Sequence, residues 1–410
     1  MTSLFIRPSG ISSHKFIRRV LKNLSNGRGI NSSALTITPS PSTKPNPSKE
    51  SLTFGTVFSP HMLTIEYSHE RWHNPKIVPY GNLNLSPASS CLHYGTTCFE
   101  GMKAYKGILC EDNTNYDDEI CASDNVFLFR PDLNMIRLKS SMERLAMPGC
   151  DFDSEELIQC IMRLVDLDSD WIPSGEGYSL YIRPNVLATN HNLGVSNPTE
   201  LLLYVITSPV GPYFKSGFKP VKLLCSTDYV RAFGGQGGTG GYKIGGNYAP
   251  TLKPGHEALE RGYQQILWVN RNGQGQDEIT EVGAMNLFLV FEQDNGRMEI
   301  VTPPLNRGDI LPGVTRKSIV ELTKKWRDVD MVERNVTMQE VQDAVETKRF
   351  VEAFGAGTAA VVCPIECINY KGVDLKPRFH TGEIMHKVWR ELLDIQYGKI
   401  EHEWARKVVV

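Results

Sequence analysis

Apolar positions along the chain recur with two different periods, and these divide it into helical and extended stretches. Leu138, Met142 and Leu145 fall at helical spacing after Arg130-Pro131 and before Pro148-Gly149, predicting a helix that opens on a proline. Asp153 with Glu156 reads as a capping box, opening a helix through Ile158, Ile161, Met162 and Val165. Apolar, β-branched runs at 178–186 and 200–207 read as strands. The second half alternates. Strands are predicted at 221–225 and 265–270, with a helix at 254–263 between them. Runs at 287–292 and 297–301 flank Asn295-Gly296, a strong hairpin signal. Helices are predicted over 315–327, 338–347 and 382–397. Adjacent strands with helices dispersed among them predict an α+β fold with mixed, largely antiparallel sheets, not a doubly wound one. The run Leu201 to Ile206 is about a third of a bilayer span, so no transmembrane helix is expected.

The first 49 residues break this pattern. They hold eight basic residues and no acidic one before Glu50, whereas the whole 410-residue chain has a net charge of −2. The remainder therefore carries −10. Phe16, Ile17, Val20, Leu21 and Leu24 lie at helical spacing, with Lys15, Arg18, Arg19 and Lys22 largely off that stripe. An acid-poor, Ser-rich, Arg-bearing amphipathic start has the composition of a mitochondrial transit peptide. A disordered basic tail is the alternative. Pro- and Ser-rich residues 39–48 read as a linker, cleavage is expected between about Arg28 and Glu50, and the folded part is expected to begin near Ser51. The expected organisation is a leader and linker over 1–49, a small unit over 50–208, a connection over 209–219 and a large unit over 220–410. Glu111 to Glu119 reads as an acidic surface loop. Overall neutrality argues against a dedicated nucleic-acid binder. Nine scattered cysteines form no C-x-x-C pair, so neither a zinc site nor a metal centre is indicated.

The sharpest chemical feature is the loop around Lys243, where eight of the thirteen residues from 234 to 246 are glycine. That much glycine implies close backbone approach or positive φ. A literal Gly235-x-Gly237-x-x-Gly240 dinucleotide fingerprint is present, but no helix-forming run follows it. A P-loop is excluded because Lys243 is followed by Ile244, not Ser or Thr. The remaining readings are a lysine whose desolvated amine forms a Schiff base, and a plain surface loop. Glu281, at a strand start, offers the acid that a pyridoxal phosphate enzyme needs beside its ring nitrogen. Leu311-Pro312-Gly313-Val314-Thr315 leads into a helix whose free amides suit a phosphate, with Thr315 as a plain N-cap the alternative. Phe354-Gly355-Ala356-Gly357-Thr358-Ala359-Ala360 is a second loop whose amides suit an anion.

Taken in order, Tyr242-Lys243-Ile244-Gly245-Gly246-Asn247-Tyr248, Glu281-Val282-Gly283-Ala284-Met285-Asn286, Leu311-Pro312-Gly313-Val314-Thr315-Arg316 and Gly357-Thr358-Ala359-Ala360 resemble the branched-chain aminotransferases of pyridoxal-phosphate fold type IV. The resemblance runs from about Phe54 to Trp404. It includes Leu92-His93-Tyr94, Phe99-Glu100-Gly101-Met102-Lys103-Ala104-Tyr105, Leu133-Asn134-Met135, Tyr181-Ile182-Arg183-Pro184 and His402-Glu403-Trp404. It implies transamination between branched-chain amino acids and 2-oxoglutarate, pyridoxal 5'-phosphate as cofactor, and a homodimer. It also implies that Lys243 is the Schiff-base lysine and proton shuttle, and that Glu281 faces the pyridine nitrogen. Tyr248 would stand beside the phenolic oxygen, Arg137 with Val314 and Thr315 would form the phosphate cup, and Arg231 would be a second cofactor-side arginine. Thr358 and Ala359 would take the substrate α-carboxylate. Phe54, Tyr94, Phe99 and Tyr181 would wall the side-chain pocket, and Arg183 would serve the distal carboxylate of glutamate. The alternatives are another fold type IV activity, such as a D-amino-acid aminotransferase or aminodeoxychorismate lyase, or a silent scaffold.

There are departures from the family pattern. Ala284 stands where mammalian relatives often have Thr. The glycine loop between Arg231 and Lys243 is about two residues longer than in those relatives. Ala360 and Cys363 replace the ends of a redox C-x-x-C, so no thiol switch of that kind is expected.

Overall fold

Alternation along the strands explains why the chain builds two sheets that face each other. The computed structural model describes residues 28–41, 45–108, 122–212, 219–235 and 237–409. The apolar stripe of the leader (1–27), the acidic loop 111–119, Cys110, Cys121 and residues 213–218 of the expected connection lie outside these.

The first sheet has ten strands. Its path runs Thr36–Ile37, Lys76–Pro79, His61–Ser68, Leu201–Val210, Ser179–Ala188, Met102–Ile108, Ala122–Phe129 and Ala405–Lys407. All of its pairings are antiparallel except that between Thr36–Ile37 and Lys76–Pro79. Alternate residues Met102, Ala104, Leu180, Ile182, Val186 and Ala188 enter one core with helices Pro131–Arg144 and Ser154–Leu167. The intervening residues, Lys103, Tyr105, Tyr181 and Arg183, therefore point to the opposite face, as a two-residue period requires.

The second sheet has nine strands. Six of them, Asp277–Val282, Gln265–Arg271, Val221–Ser226, Val361–Tyr370, Phe350–Gly357 and Met285–Glu292, close into a ring because the last also pairs with the first. Three pairings are parallel and six antiparallel. One core joins helices Val314–Thr323 and Glu383–Gln396 to this sheet and takes in Tyr105, Ile108 and Phe129 from the first. A shared apolar core across both sheets fixes their mutual position, which matters because the cavity below lies between them.

Several elements differ from expectation. The fold begins well before Ser51. Ile30 is buried in the first core, the Ser32 amide donates to Glu156 at 2.6 Å, and the Ser40 amide donates to His61 Nε2 at 2.8 Å. Serine and proline in this stretch serve an extended strap along the sheet, so cleavage beyond about residue 28 would remove packed structure. At the helix start, Asp153 accepts from Glu155 N at 2.9 Å, while Glu156 is committed to Ser32 and forms no box. Residues 209–210 finish a strand instead of opening a connection. The last strand, Ala405–Lys407, returns to the first sheet, so the segment 220–410 does not stay with the second.

Candidate active site

The glycine loop is held as a tight wrap. Gly235 and Gly237 adopt φ near +80°, and a Cβ on Gly240 would sit 2.6 Å from the Asp309 backbone. No helix opens on Gly240: a 3-10 turn at Gly245–Asn247 comes first and the next α-helix starts at Leu252, so the dinucleotide reading fails. The wrap delivers Lys243 to a fixed place. Its amide donates to Ser141 Oγ at 2.9 Å, and its carbonyl accepts from Phe99 N at 3.1 Å. Its Nζ donates to Tyr248 Oη at 3.1 Å and lies 4.7 Å from the Phe99 ring centroid.

Lys243 opens into a cavity of about 440 Å³ between the two sheets. Of the residues expected at the site, Phe54, Phe99, Arg137, Tyr181, Arg183, Tyr248, Glu281, Val314, Thr315, Thr358 and Ala359 all line it. Tyr94 does not. It is 46% exposed, with its hydroxyl on the Leu193 carbonyl. Arg231 lines a smaller neighbouring cavity and meets the first only through its ion pair with Glu281.

Glu281 and Asn286 face each other across the turn at Gly283-Ala284. Asn286 Nδ2 donates to Glu281 Oε1 at 2.9 Å and to the Leu311 carbonyl at 2.9 Å, and the Leu311 amide donates to the same Oε1 at 3.1 Å. The second oxygen, Oε2, contacts Arg231 but receives no hydrogen bond. Burial pushes the Glu281 carboxyl above its ordinary range, with Arg231 and the Leu311 amide pulling it back. Arg231 is itself fixed by the carbonyls of Gly240 at 2.7 Å and Asp309 at 2.9 Å.

Helix Val314–Thr323 starts at the cavity floor. Its cap is Gly313, not Thr315, and no side chain caps it. A Cβ on Gly313 would come within 2.1 Å of Asn286 Oδ1, so only glycine lets the hairpin and the helix start meet. The first amides stay free, and they carry the positive end of the helix dipole.

Arg137 is held by a carboxylate. Its Nε and Nη2 donate to the two oxygens of Glu100 at 2.7 Å each, and Nη1 donates to the Pro312 carbonyl at 3.0 Å. Glu100 is fully buried and also accepts from Asn134 at 2.8 Å. Glu100 and Asn286 stand inside the family motifs, but the sequence points to no role for either. Neither carries a local signal, because a polar residue beside a strand does not announce its burial, and the cation that Glu100 holds lies 37 positions away. Gln265 and Gly313 also line the cavity without having been singled out for it.

The other wall is aromatic. Phe54 meets Tyr181 edge-on at 4.8 Å, and Phe99 meets Tyr248 at 4.9 Å. Arg183 sits 4.9 Å from the Phe99 centroid, and its Nη2 donates to Tyr181 Oη at 3.2 Å.

A lysine, a buried acid and a helix N-terminus around one cavity are the groups that a cofactor-dependent amino-group-transferring enzyme uses. Residues 97–368 match the family described as amino-transferase class IV. A branched-chain-amino-acid aminotransferase from Monosiga brevicollis is 46% identical over 92% of this chain and 92% of that protein. The mitochondrial branched-chain-amino-acid aminotransferase of Bos taurus is 44% identical over 91% and 90%. The fold matches a branched-chain aminotransferase structure from Thermoproteus uzoniensis with a TM-score of 0.64 at 23% identity, covering 85% of this chain and all of that one. The chain belongs to the branched-chain aminotransferase family.

Proposed function

We propose that this protein transfers the amino group of L-leucine, L-isoleucine and L-valine to 2-oxoglutarate, reversibly and in ping-pong order, using pyridoxal 5'-phosphate. The observation that carries this reading is the convergence of Lys243 Nζ, the buried Glu281 carboxylate and the start of helix Val314–Thr323, which no side chain caps, on one cavity. Those groups fit an amine-reactive pyridine phosphate: a buried acid for the ring nitrogen and a helix N-terminus for the phosphate. A solved branched-chain aminotransferase of the same fold, with a TM-score of 0.63, carries pyridoxamine 5'-phosphate. When bound, the cofactor supplies a carbonyl for the amino group and a ring that takes up electrons as the substrate Cα–H bond breaks.

The remaining work falls to the protein. Lys243 Nζ holds and moves the Cα proton, with Tyr248 Oη fixing its direction. Glu281, anchored by Arg231, would hold the ring nitrogen. Arg137, aimed by Glu100, would hold the phosphate with Val314, Thr315 and Thr358. Thr358 and Ala359 receive the α-carboxylate. Phe54, Phe99 and Tyr181 exclude water around an aliphatic side chain. Arg183 at the rim lets the same pocket take glutamate.

We also propose a homodimer, supported by the exposed apolar residues Leu92, Tyr94, Leu193 and Val195. We assign one unit to each sheet, the first starting near Arg28 and taking back the last strand, a division supported by the strand pairings. The composition of residues 1–27 supports delivery to the mitochondrial matrix, although relatives include both cytosolic and mitochondrial members. A reporter fused to residues 1–27 that stays in the cytosol would overturn this.

The central test is to purify the protein with cofactor, reduce with borohydride and map the modified residue. The expected result is a pyridoxyl adduct on Lys243, turnover of L-leucine but not of D-alanine or aminodeoxychorismate, and no turnover in Lys243→Ala. An adduct elsewhere, or substantial activity in that variant, refutes the assignment.

A further inference from the structure

Lys103 lies in the first sheet, on the face turned toward the second. It is 5% exposed, and its Nζ donates to the Ala359 carbonyl at 2.9 Å. Ala359 belongs to the tight turn at 358–360 that joins strands Phe350–Gly357 and Val361–Tyr370 and lines the cavity. No carboxylate pairs with this ammonium among the described residues. The titratable side chains sharing its face are Tyr105, Tyr181 and Arg183, with Tyr397 packed on Tyr105 from the second half. A buried ammonium without a counter-ion costs free energy, so its retention asks for an anion that arrives later.

The turn itself is under strain. Val361, directly after it, adopts φ of +61°, a conformation that β-branched residues avoid. Such a residue persists only where its surroundings hold the turn. The Lys103 hydrogen bond to Ala359 is one such restraint, and it crosses between the sheets.

We propose that Lys103 is a positioning residue for the substrate α-carboxylate: it fixes the 358–360 turn by its carbonyl and places an uncompensated positive charge behind it. This rests on the function proposed above, with that turn as the carboxylate site. Burial alone holds the Lys103 ammonium down to about 8, so it is charged at neutral pH and loses its charge as the pH rises through that value. A bound carboxylate raises it again, so carboxylate affinity falls above about pH 8.

The test uses the cofactor-loaded enzyme and two probes, 4-methylpentanoate and 4-methylpentanamide, titrated by the cofactor's absorbance. They share an aliphatic body and differ in charge. Lys103→Met keeps the apolar stem as far as Cε and removes the ammonium together with its hydrogen bond to the Ala359 carbonyl. It is expected to weaken the acid by roughly tenfold at pH 7 and the amide by less than about twofold. KM for L-leucine should rise with kcat little changed, and the acid-to-amide ratio should lose its fall across pH 7–9. Equal losses for both probes would mean a merely structural lysine, and no loss for either would also overturn the proposal. Should Lys103→Met fold poorly, Lys103→Gln and the wild-type ratio across the same pH range decide, and a flat ratio refutes. Wild-type turnover of L-leucine is measured first. Its absence would sink the proposed function, whereas its presence with unaffected variants sinks only the role of Lys103.

Discussion

The two walls of the cavity are built by different means. Long-range contacts anchor both walls, but two of the contacts that orient the reactive side chains join residues close in sequence. Asn286 meets Glu281 and Lys243 meets Tyr248, each pair five residues apart. On the first-sheet wall, Arg137 meets Glu100 across 37 positions, and Lys103 reaches Ala359 across 256. The near pairs sit in tight turns and set a lysine and an acid against the cavity. The distant pairs hold two buried cations in place beside it. Local motifs thus supply reactive groups, and long-range packing supplies the shape and charge that receive the ligand.

The contrast can be broken most sharply at Glu100. Glu100→Ala leaves Arg137 buried with only the Pro312 carbonyl as partner, and is expected to destabilise the protein by about 3–5 kcal/mol. Chemical denaturation reads this directly, and a loss below about 1 kcal/mol would show that the first-sheet wall does not depend on the pair. Glu281→Gln is expected to keep the hydrogen bond from the Leu311 amide and the fold, yet lower kcat/KM by about 10²–10³. A loss under tenfold would erase the division between a reactive wall and a receiving wall. Arg183→Ala should raise KM for glutamate and 2-oxoglutarate by about 10–100-fold while leaving leucine within about twofold. Equal effects on both substrates would deny it a role specific to the second carboxylate. The smallest effect concerns Cys363, buried behind the 358–360 turn, whose thiol is pushed up to about 12 by desolvation. Its thiolate fraction at pH 8 is negligible, so peroxide should not produce inactivation that dithiothreitol reverses. Such inactivation, lost in Cys363→Ser, would show a thiol switch after all.

What could be read along the chain follows the same divide. The hairpin at Asn295-Gly296 and the helix Glu383–Gln396 appear as expected, because each is specified by neighbours within a few residues. Strands His61–Ser68 and Met102–Ile108 went unread. His61 is buried against Asp168, with Nδ1 2.6 Å from its carboxylate, and Lys103 occupies a strand interior, so polar letters conceal buried positions. The expected leader and linker over 1–49 takes in residues 28–41, because Ser and Pro composition does not show that Ile30 inserts into a core. Thr315 looked like a helix cap, yet Gly313 holds that position, because a side chain there would strike Asn286. Within the site, Lys243, Glu281, Tyr248 and the Thr358-Ala359 turn were recognisable from their motifs, and the structure brings them to one cavity. Tyr94 was not separable from the other aromatics by sequence, and the structure leaves it outside.

By itself, the sequence determined the reactive groups and the local geometry that presents them, since glycine loops, tight turns and helix starts depend on only a handful of successive residues. Tertiary structure decided which distant charges are paired, where the fold begins, and which aromatics face the ligand. Those outcomes depend on burial, and burial is a property of what the rest of the chain packs against each side chain.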